Sequence, residues 1–286
     1  MSFVYAFFWE VGLAGTLYVV STPIGNLEDI TLRALRILGE VDLIAAEDTR
    51  TTRKLLTHYG LETPLTSYWE HNKLVKLRSI LDALSERDVA LISKAGTPGV
   101  SDPGYELIKA AVEQGYRVVP IPGPSAIVEA LVVSGLPTDS FVYLGFLPRK
   151  AGRRNRLLSS LAGEIRTLVA FEGPHRLLDT LQDVREILGN RRVAVARELT
   201  KLHEEIVRGS ADEVLQHFRE SEPRGEVTLV IEGAKEVPWG RDKVEEALTR
   251  LANEGLTGSR AVKEIAKLSL RPRAEVYDIW LDMEDG

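Results

Sequence analysis

The segment Glu47-Asp48-Thr49-Arg50 places two acids, a hydroxyl and a guanidinium side by side. Such a cluster can bind a polar substrate or accept a proton from it. A plainer reading is a helix start, with Asp48 or Thr49 as N-cap and Arg50 paired to Glu47. His71 follows in a later loop and offers a further base. The histidines at 58, 71, 175, 203 and 217 show neither HxxxH nor HExxH spacing, so no metal site is expected. Glu172 and Arg176 flank a Gly-Pro turn, and Arg197-Glu198-Leu199-Thr200-Lys201 is a similarly polar strand end. Arg149, Lys150, Arg153, Arg154 and Arg156 are five cations within eight residues. Cations are unfavourable at a helix start, so the cluster points to phosphate neutralisation more than to a solvated helix end.

Three Pro/Gly loops share one design. Ser21-Thr22-Pro23-Ile24-Gly25-Asn26 follows the apolar run Leu17–Val20. Ser93–Gly104 follows Val89–Ile92, and Pro120–Ala126 follows Tyr116–Val119. Glycine lets a backbone approach a ligand and proline stiffens the loop. Loops beyond the carboxyl ends of parallel strands are where open α/β sheets bind ligands, so the three are expected on one rim. Neither GxGxxG nor GxxxxGK[ST] occurs, which weakens dinucleotide and P-loop readings.

The elements that must hold these loops alternate. Strands are expected at Leu17–Val20, Asp42–Ala46, Pro64–Ser67, Val89–Ile92 and Tyr116–Val119. Helices are expected at Thr31–Gly39 (capped by Asp29), Thr51–Tyr59, Lys73–Arg87, from Tyr105, and at Ser125–Ser134. This is βαβ grammar with a mostly parallel sheet. After Gly135–Thr138, read as a linker, strands at Phe141–Phe146, Thr167–Phe171, Val193–Arg197 and Glu226–Glu232 suggest a second, mixed sheet. From Pro238 the pattern is helical: Val244–Asn253, Ser259–Leu268 with Ser259 as N-cap, and Pro272–Leu281. The last two have the spacing of a helix-turn-helix, although packed helices are the commoner meaning.

The chain has 286 residues, which suits two moderate domains, with 44% hydrophobic residues and no cysteine. Disulfide and thiolate chemistry are excluded, and a cytoplasmic location is expected. The net charge of −6 leaves no global attraction for nucleic acid, so any RNA contact must be a local basic patch. Residues 1–14 are apolar and aromatic, too short to span a bilayer, and lack a basic signal-peptide start. They are read as an extension ahead of a domain beginning near Gly15, or as an arm on the surface or on a partner chain.

The segments Thr22–Leu27, Ala46–Arg50, Ala95-Gly96-Thr97-Pro98, Asp102-Pro103-Gly104, Pro122–Ala126, His175–Leu178 and Arg197–Lys201 carry a specific resemblance. Together they resemble bacterial ribosomal RNA small-subunit (cytidine-2′-O)-methyltransferases of the tetrapyrrole-methylase superfamily, from Leu17 to about Gly233. The resemblance implies an N-terminal α/β domain over 15–134 and a second over 139–235, with a cofactor cleft between them and a helical tail over 240–286. It implies S-adenosylmethionine as cofactor, contacted by Ile24, Gly25, Thr97, Pro98, Val100, Ser125, Ala126 and Phe171, with the strand ends Val193–Glu198 and Val230–Gly233 completing the pocket. It implies a homodimer with no membrane association. The implied substrate is a cytidine ribose in the decoding region of small-subunit RNA, free or in an assembled subunit, with the basic cluster at 149–156 as RNA contact. For that chemistry Asp48 or Glu47 would accept the proton, Arg50 would orient a phosphate or the ribose, and His71 is the reserve. Lys94 and Lys73 stand where the family usually has acids. Lys94 is expected to point away from the transferred methyl, toward a carboxylate. Rival readings are a methyltransferase acting on a tetrapyrrole or another small molecule, and a non-enzymatic module that binds S-adenosylmethionine or a nucleotide.

Overall fold

A computed structural model describes residues 15–235 and 238–284, so the expected N-terminal extension lies outside the described residues. The chain forms two compact units. Among the described residues, one takes 15–162 together with 166–232, and the other takes 163–165, 233–235 and 238–284.

The first unit holds two five-stranded sheets. The first contains β1 (Thr16–Val20), β2 (Leu43–Ala46), β3 (Leu65–Ser67), β4 (Val89–Ile92) and β5 (Arg117–Ile121), in the order β3-β2-β4-β1-β5 and parallel throughout. Every residue of β4, and Ile44, Ala45 and Ala46 of β2, is buried, as expected for strands covered on both faces. Pro120 lacks a backbone N–H, and it sits in β5, an edge strand, where the missing donor is tolerated. The crossovers are α1 (Leu32–Glu40), α2 (Thr49–His58), α3 (Lys73–Leu84) and α4 (Tyr105–Glu113), and α5 (Ala126–Val133) follows β5. The cap of α1 is Thr31, whose Oγ1 accepts the Ala34 N–H at 3.1 Å, not Asp29. Asp29 is spent in a short 3-10 turn over Leu27–Asp29, and the extended Ile30 separates that turn from the helix.

The second sheet contains β6 (Phe141–Phe146), β7 (Thr167–Glu172), β8 (Arg192–Arg197), β9 (Glu205–Ser210) and β10 (Val227–Ile231), in the order β6-β7-β10-β8-β9. It is mixed, as its sequence suggested. β6 and β7 are parallel, while β10 is antiparallel to both neighbours, and β8 to β9. Helices α6 (Ala151–Ser160), α7 (Leu177–Leu188) and α8 (Ala211–Glu220) pack on it. Ser210 and Glu213 close a reciprocal capping box at the start of α8.

The second unit is three helices, α9 (Arg241–Asn253), α10 (Gly258–Ser269) and α11 (Arg273–Glu284), around Val244, Leu248, Val262, Ile265 and Val276. The residue preceding α10 is Thr257, so Ser259 lies inside the first turn and is not the N-cap. No helix among the described residues is long and apolar enough to cross a membrane.

Candidate active site

The three Pro/Gly loops leave adjacent strands, because β4, β1 and β5 are neighbours. They therefore meet on one rim, as their sequences predicted. The loop after β1 is stitched to the loop after β4 by Thr22 N–H to Gly96 O (2.9 Å) and Gly96 N–H to Thr22 O (3.0 Å). The Ser21 and Thr97 hydroxyls add a bond at 2.9 Å. Gly104 closes the β4 loop with φ +151°, and a Cβ there would lie 2.9 Å from Gly99 N, so the position requires glycine.

Above this rim lies a cavity of about 600 Å³, within the size range of small-molecule sites. Ile24, Thr97, Val100, Ser125 and Ala126 of the first sheet's loops line it, with Phe171 of β7 opposite. Two other residues expected at the cofactor do not line it. Pro98 is buried and is not part of the cavity wall. Gly25 faces the β8–β9 connection, where a Cβ would lie 2.4 Å from the Lys201 side chain and 2.8 Å from Leu199 O. Its role is close packing between loops of the two sheets, and Asn26 N–H donates to Thr200 Oγ1 at 3.0 Å beside it. The second sheet completes the cavity with Ala196 and Leu199 at the β8 end and with Gly225–Thr228. That last segment replaces the expected Val230–Gly233. β10 runs antiparallel to β7 and β8, so it presents its amino end at the rim where they present their carboxyl ends.

The side chain missed by sequence reasoning is Asp102. It borders the cavity with Thr97, Val100 and Tyr143. Burial, reinforced by the charges of Glu47 and Glu226 and partly offset by the Ser93 hydroxyl, pushes its carboxyl up to about 7. Ser101 beside it adopts a left-handed backbone, φ 60°, and its hydroxyl meets the Tyr143 phenol at 2.6 Å. A non-glycine residue held there costs of order 1–3 kcal/mol, a cost that clusters at functional sites. The signals in the sequence were the position of Asp102 in a Pro/Gly loop and its place in the Asp102-Pro103-Gly104 segment that carries the family resemblance.

The cluster at the end of β2 is arranged differently from its catalytic reading. Asp48 is the N-cap of α2. Its Oδ1 accepts from Arg50 N–H (2.8 Å) and Thr51 N–H (3.2 Å), and its Oδ2 from the Thr51 hydroxyl (3.0 Å). The Thr51 backbone bond leads the causes that hold this carboxyl below its usual range. A carboxylate so engaged is a poor proton acceptor. Glu47 Oε2 accepts from the Lys94 backbone N–H at 2.8 Å. The Lys94 charge contributes to lowering Asp48, the carboxylate neighbourhood anticipated for it. Arg50 is exposed and borders a hollow on the surface of α2 with Arg53, Lys54 and His58, without an ion pair to Glu47 among the described contacts. His71 is exposed and packs edge-on to Trp69 at 4.8 Å. Lys73 is bound by Glu106 (2.6 Å) and Glu70 (2.9 Å).

Of the basic cluster, Arg149, Lys150, Arg153 and Arg156 are exposed. Arg154 is not part of that surface. It is buried, with its Nε 2.6 Å from Asp183 of α7, because its position on α6 turns it toward the sheet. Among the described residues no cluster of three or more acids or histidines could hold a metal ion.

The cavity wall suits a sulfonium cofactor. Asp102, Glu172 and Glu226 border it and, among the described residues, no lysine, arginine or histidine does, while Arg176 and Lys201 pair with Glu172 and Glu226 from outside the lining. Phe171 and Tyr143 supply aromatic faces, which also favour a cation.

The model of tetrapyrrole (corrin/porphyrin) methylases matches residues 16–215. Among solved structures, uroporphyrin-III C-methyltransferase from Thermus thermophilus complexed with S-adenosylhomocysteine superposes with a TM-score of 0.53 at 21% identity, over 76% of this chain and 97% of that one. A cobalamin biosynthetic enzyme, cobalt precorrin-4 methyltransferase, gives 0.58 at 16% identity over 76% and 94%. These likenesses establish the fold. Ribosomal RNA small subunit methyltransferase I of Halalkalibacterium halodurans is 46% identical over 93% of this chain and 94% of its own length. The protein of that name from Thermotoga maritima is 51% identical over 77% of this chain and 99% of its own. The chain belongs to the tetrapyrrole methylase family and, within it, to the ribosomal RNA small subunit methyltransferase I group, and is thus an S-adenosylmethionine-dependent methyltransferase.

Proposed function

We propose that the protein methylates the 2′-oxygen of a cytidine ribose in the decoding region of small-subunit ribosomal RNA. The observation that carries the chemistry is the half-buried Asp102 carboxyl on the wall of a cavity otherwise suited to a sulfonium. The relatives' names support the RNA, and so does an exposed run of cations, Arg149, Lys150, Arg153 and Arg156, on a chain of net charge −6.

S-adenosylmethionine supplies an electrophilic methyl on its sulfonium. Ile24, Thr97, Val100, Ser125, Ala126 and Phe171 hold the donor. Asp102 would accept the proton that the 2′-hydroxyl loses as its oxygen takes up the donor's methyl. The rigid loops align the reactants, and positioning of this kind supplies at most roughly 7–11 kcal/mol of barrier reduction. Arg50, in the first turn of α2, is a candidate to orient RNA phosphate. The protein is expected to act as a cytoplasmic homodimer.

The test is transfer of labelled methyl from S-adenosylmethionine to free small-subunit RNA and to assembled subunits, followed by mass spectrometry of the nucleosides. A 2′-O-methylcytidine is expected. Transfer to a tetrapyrrole macrocycle with none to RNA would overturn the reading, and so would binding of the donor without turnover.

A further inference from the structure

A second hollow, of about 640 Å³, adjoins the cofactor cavity and shares Phe146 and Gly173 with it. Its remaining walls are Leu147, Arg149, His175 and Arg176. Two of its features need a reason. Phe146 is 61% exposed, which is costly for a phenylalanine that serves only packing. Arg149 and His175 are exposed, with no ion pair or side-chain hydrogen bond among the described contacts. Arg176 differs from them. Its guanidinium is held by the buried Glu172 carboxylate and donates to Leu147 O at 3.3 Å, so it forms a fixed wall.

The backbone accounts for where Phe146 points. In a regular strand, residues three apart face opposite sides. Between Tyr143 and Phe146 the β6–β7 register shifts, and Gly145 takes φ +66°. The irregularity brings both rings to the same side. A continuous row of rings results: Tyr143 edge-on to Phe171 at 5.5 Å, and Phe171 to Phe146 at 5.3 Å. One end of the row touches Ser101, the neighbour of Asp102, and the other opens into the hollow.

We propose that this hollow seats the target nucleotide, with its base stacked on Phe146 and its phosphates engaged by Arg149 and His175. The inference rests on the RNA reading above. A flat aromatic face beside a free guanidinium and an imidazole, next to a methyl-donor cavity, matches the needs of an unstacked single-stranded nucleotide. The row of rings leads from the seat toward Asp102, so a ribose attached to a base in the hollow can lie between the two.

The test uses the full chain, a small-subunit RNA fragment and saturating S-adenosylmethionine, with donor affinity measured separately by calorimetry. Phe146→Ala should lower kcat/KM for RNA by about 5- to 150-fold with a much smaller change in donor affinity, while Phe146→Trp should restore most of it. Arg149→Ala should weaken RNA binding and flatten its dependence on log salt by about 0.7–0.9. The proposal is overturned if both alanine variants methylate RNA as the wild type does. It is equally overturned if Phe146→Ala loses donor binding in parallel, or dissociates an oligomer that the wild type forms. Absence of RNA methylation by the wild type itself would remove the functional reading and the seat with it. Wild-type methylation with unaffected variants would remove the seat alone.

Discussion

The two sheets contribute to one cavity by different routes. Every strand of the first points the same way, so the loops after β1, β4 and β5 share a rim by topology alone. In the second, β7 and β8 bring their carboxyl ends while β10 brings its amino end. The parallel half supplies the stiff Pro/Gly loops and the Asp102 carboxyl. The mixed half supplies the aromatic wall and the cationic approach. A parallel sheet thus concentrates backbone-defined binding at one edge, and an antiparallel strand lets a chain segment from the opposite end of a strand enter the same site.

The comparison breaks most visibly at Asp102. Asp102→Asn should reduce single-turnover methyl transfer by roughly 10²- to 10⁴-fold while calorimetry shows the donor still bound. Wild-type transfer should rise with pH through about 7, where the carboxyl becomes able to accept a proton, and the variant should show no such step. An unchanged rate would return the proton-acceptor role to the β2 cluster.

Next in size is the junction of the two halves. Gly25→Val sets a branched side chain against Lys201 and the Leu199 carbonyl. Overpacking of this kind costs about 1–3 kcal/mol, to be read as a lower denaturant midpoint. The Gly25→Val change should impair donor binding through loop displacement, although Gly25 itself does not line the cavity.

A smaller effect separates cap from catalyst. Asp48→Ala removes the N-cap of α2 and should cost about 1 kcal/mol of stability. Its methyl transfer, with donor saturating, should stay within a few-fold of wild type. Because the folded state holds the Asp48 carboxyl below its ordinary value of 3.8, this contribution is present above that value and is lost as pH falls through the lower, folded one. A collapse of the chemical rate at wild-type RNA affinity would make Asp48 catalytic after all.

A separate effect lies in the pH dependence of folding. The folded Asp102 retains a proton that the unfolded chain releases, so stability should fall as pH rises from about 4 to about 7. Asp102→Asn should flatten that slope in urea titrations. An unchanged slope would place the carboxyl in an ordinary environment and weaken its assignment as proton acceptor.

Local chemistry was enough for much of this protein. Apolar runs of four to six residues between Gly/Pro punctuation located the strands other than β9, since a doubly covered strand must be apolar throughout, whereas β9 is only partly buried and carries Glu205 and Arg208. The three Pro/Gly loops announced a shared rim because βαβ connectivity makes consecutive strands parallel. Of the seven residues the first sheet's loops were expected to give the cofactor, Ile24, Thr97, Val100, Ser125 and Ala126 line the cavity, and Gly25 and Pro98 do not. Tertiary structure alone decided the rest. Thr31 and Thr257, not Asp29 and Ser259, precede their helices, because one residue of backbone geometry determines which residue takes the cap position. Arg154 reads like its basic neighbours yet turns inward to Asp183, a partner 29 residues away. The direction of β10, the packing role of Gly25 and the environment of Asp102 all depend on contacts between segments distant in the chain. Burial and neighbouring charge, which set what a carboxyl can do, are properties of the assembled fold.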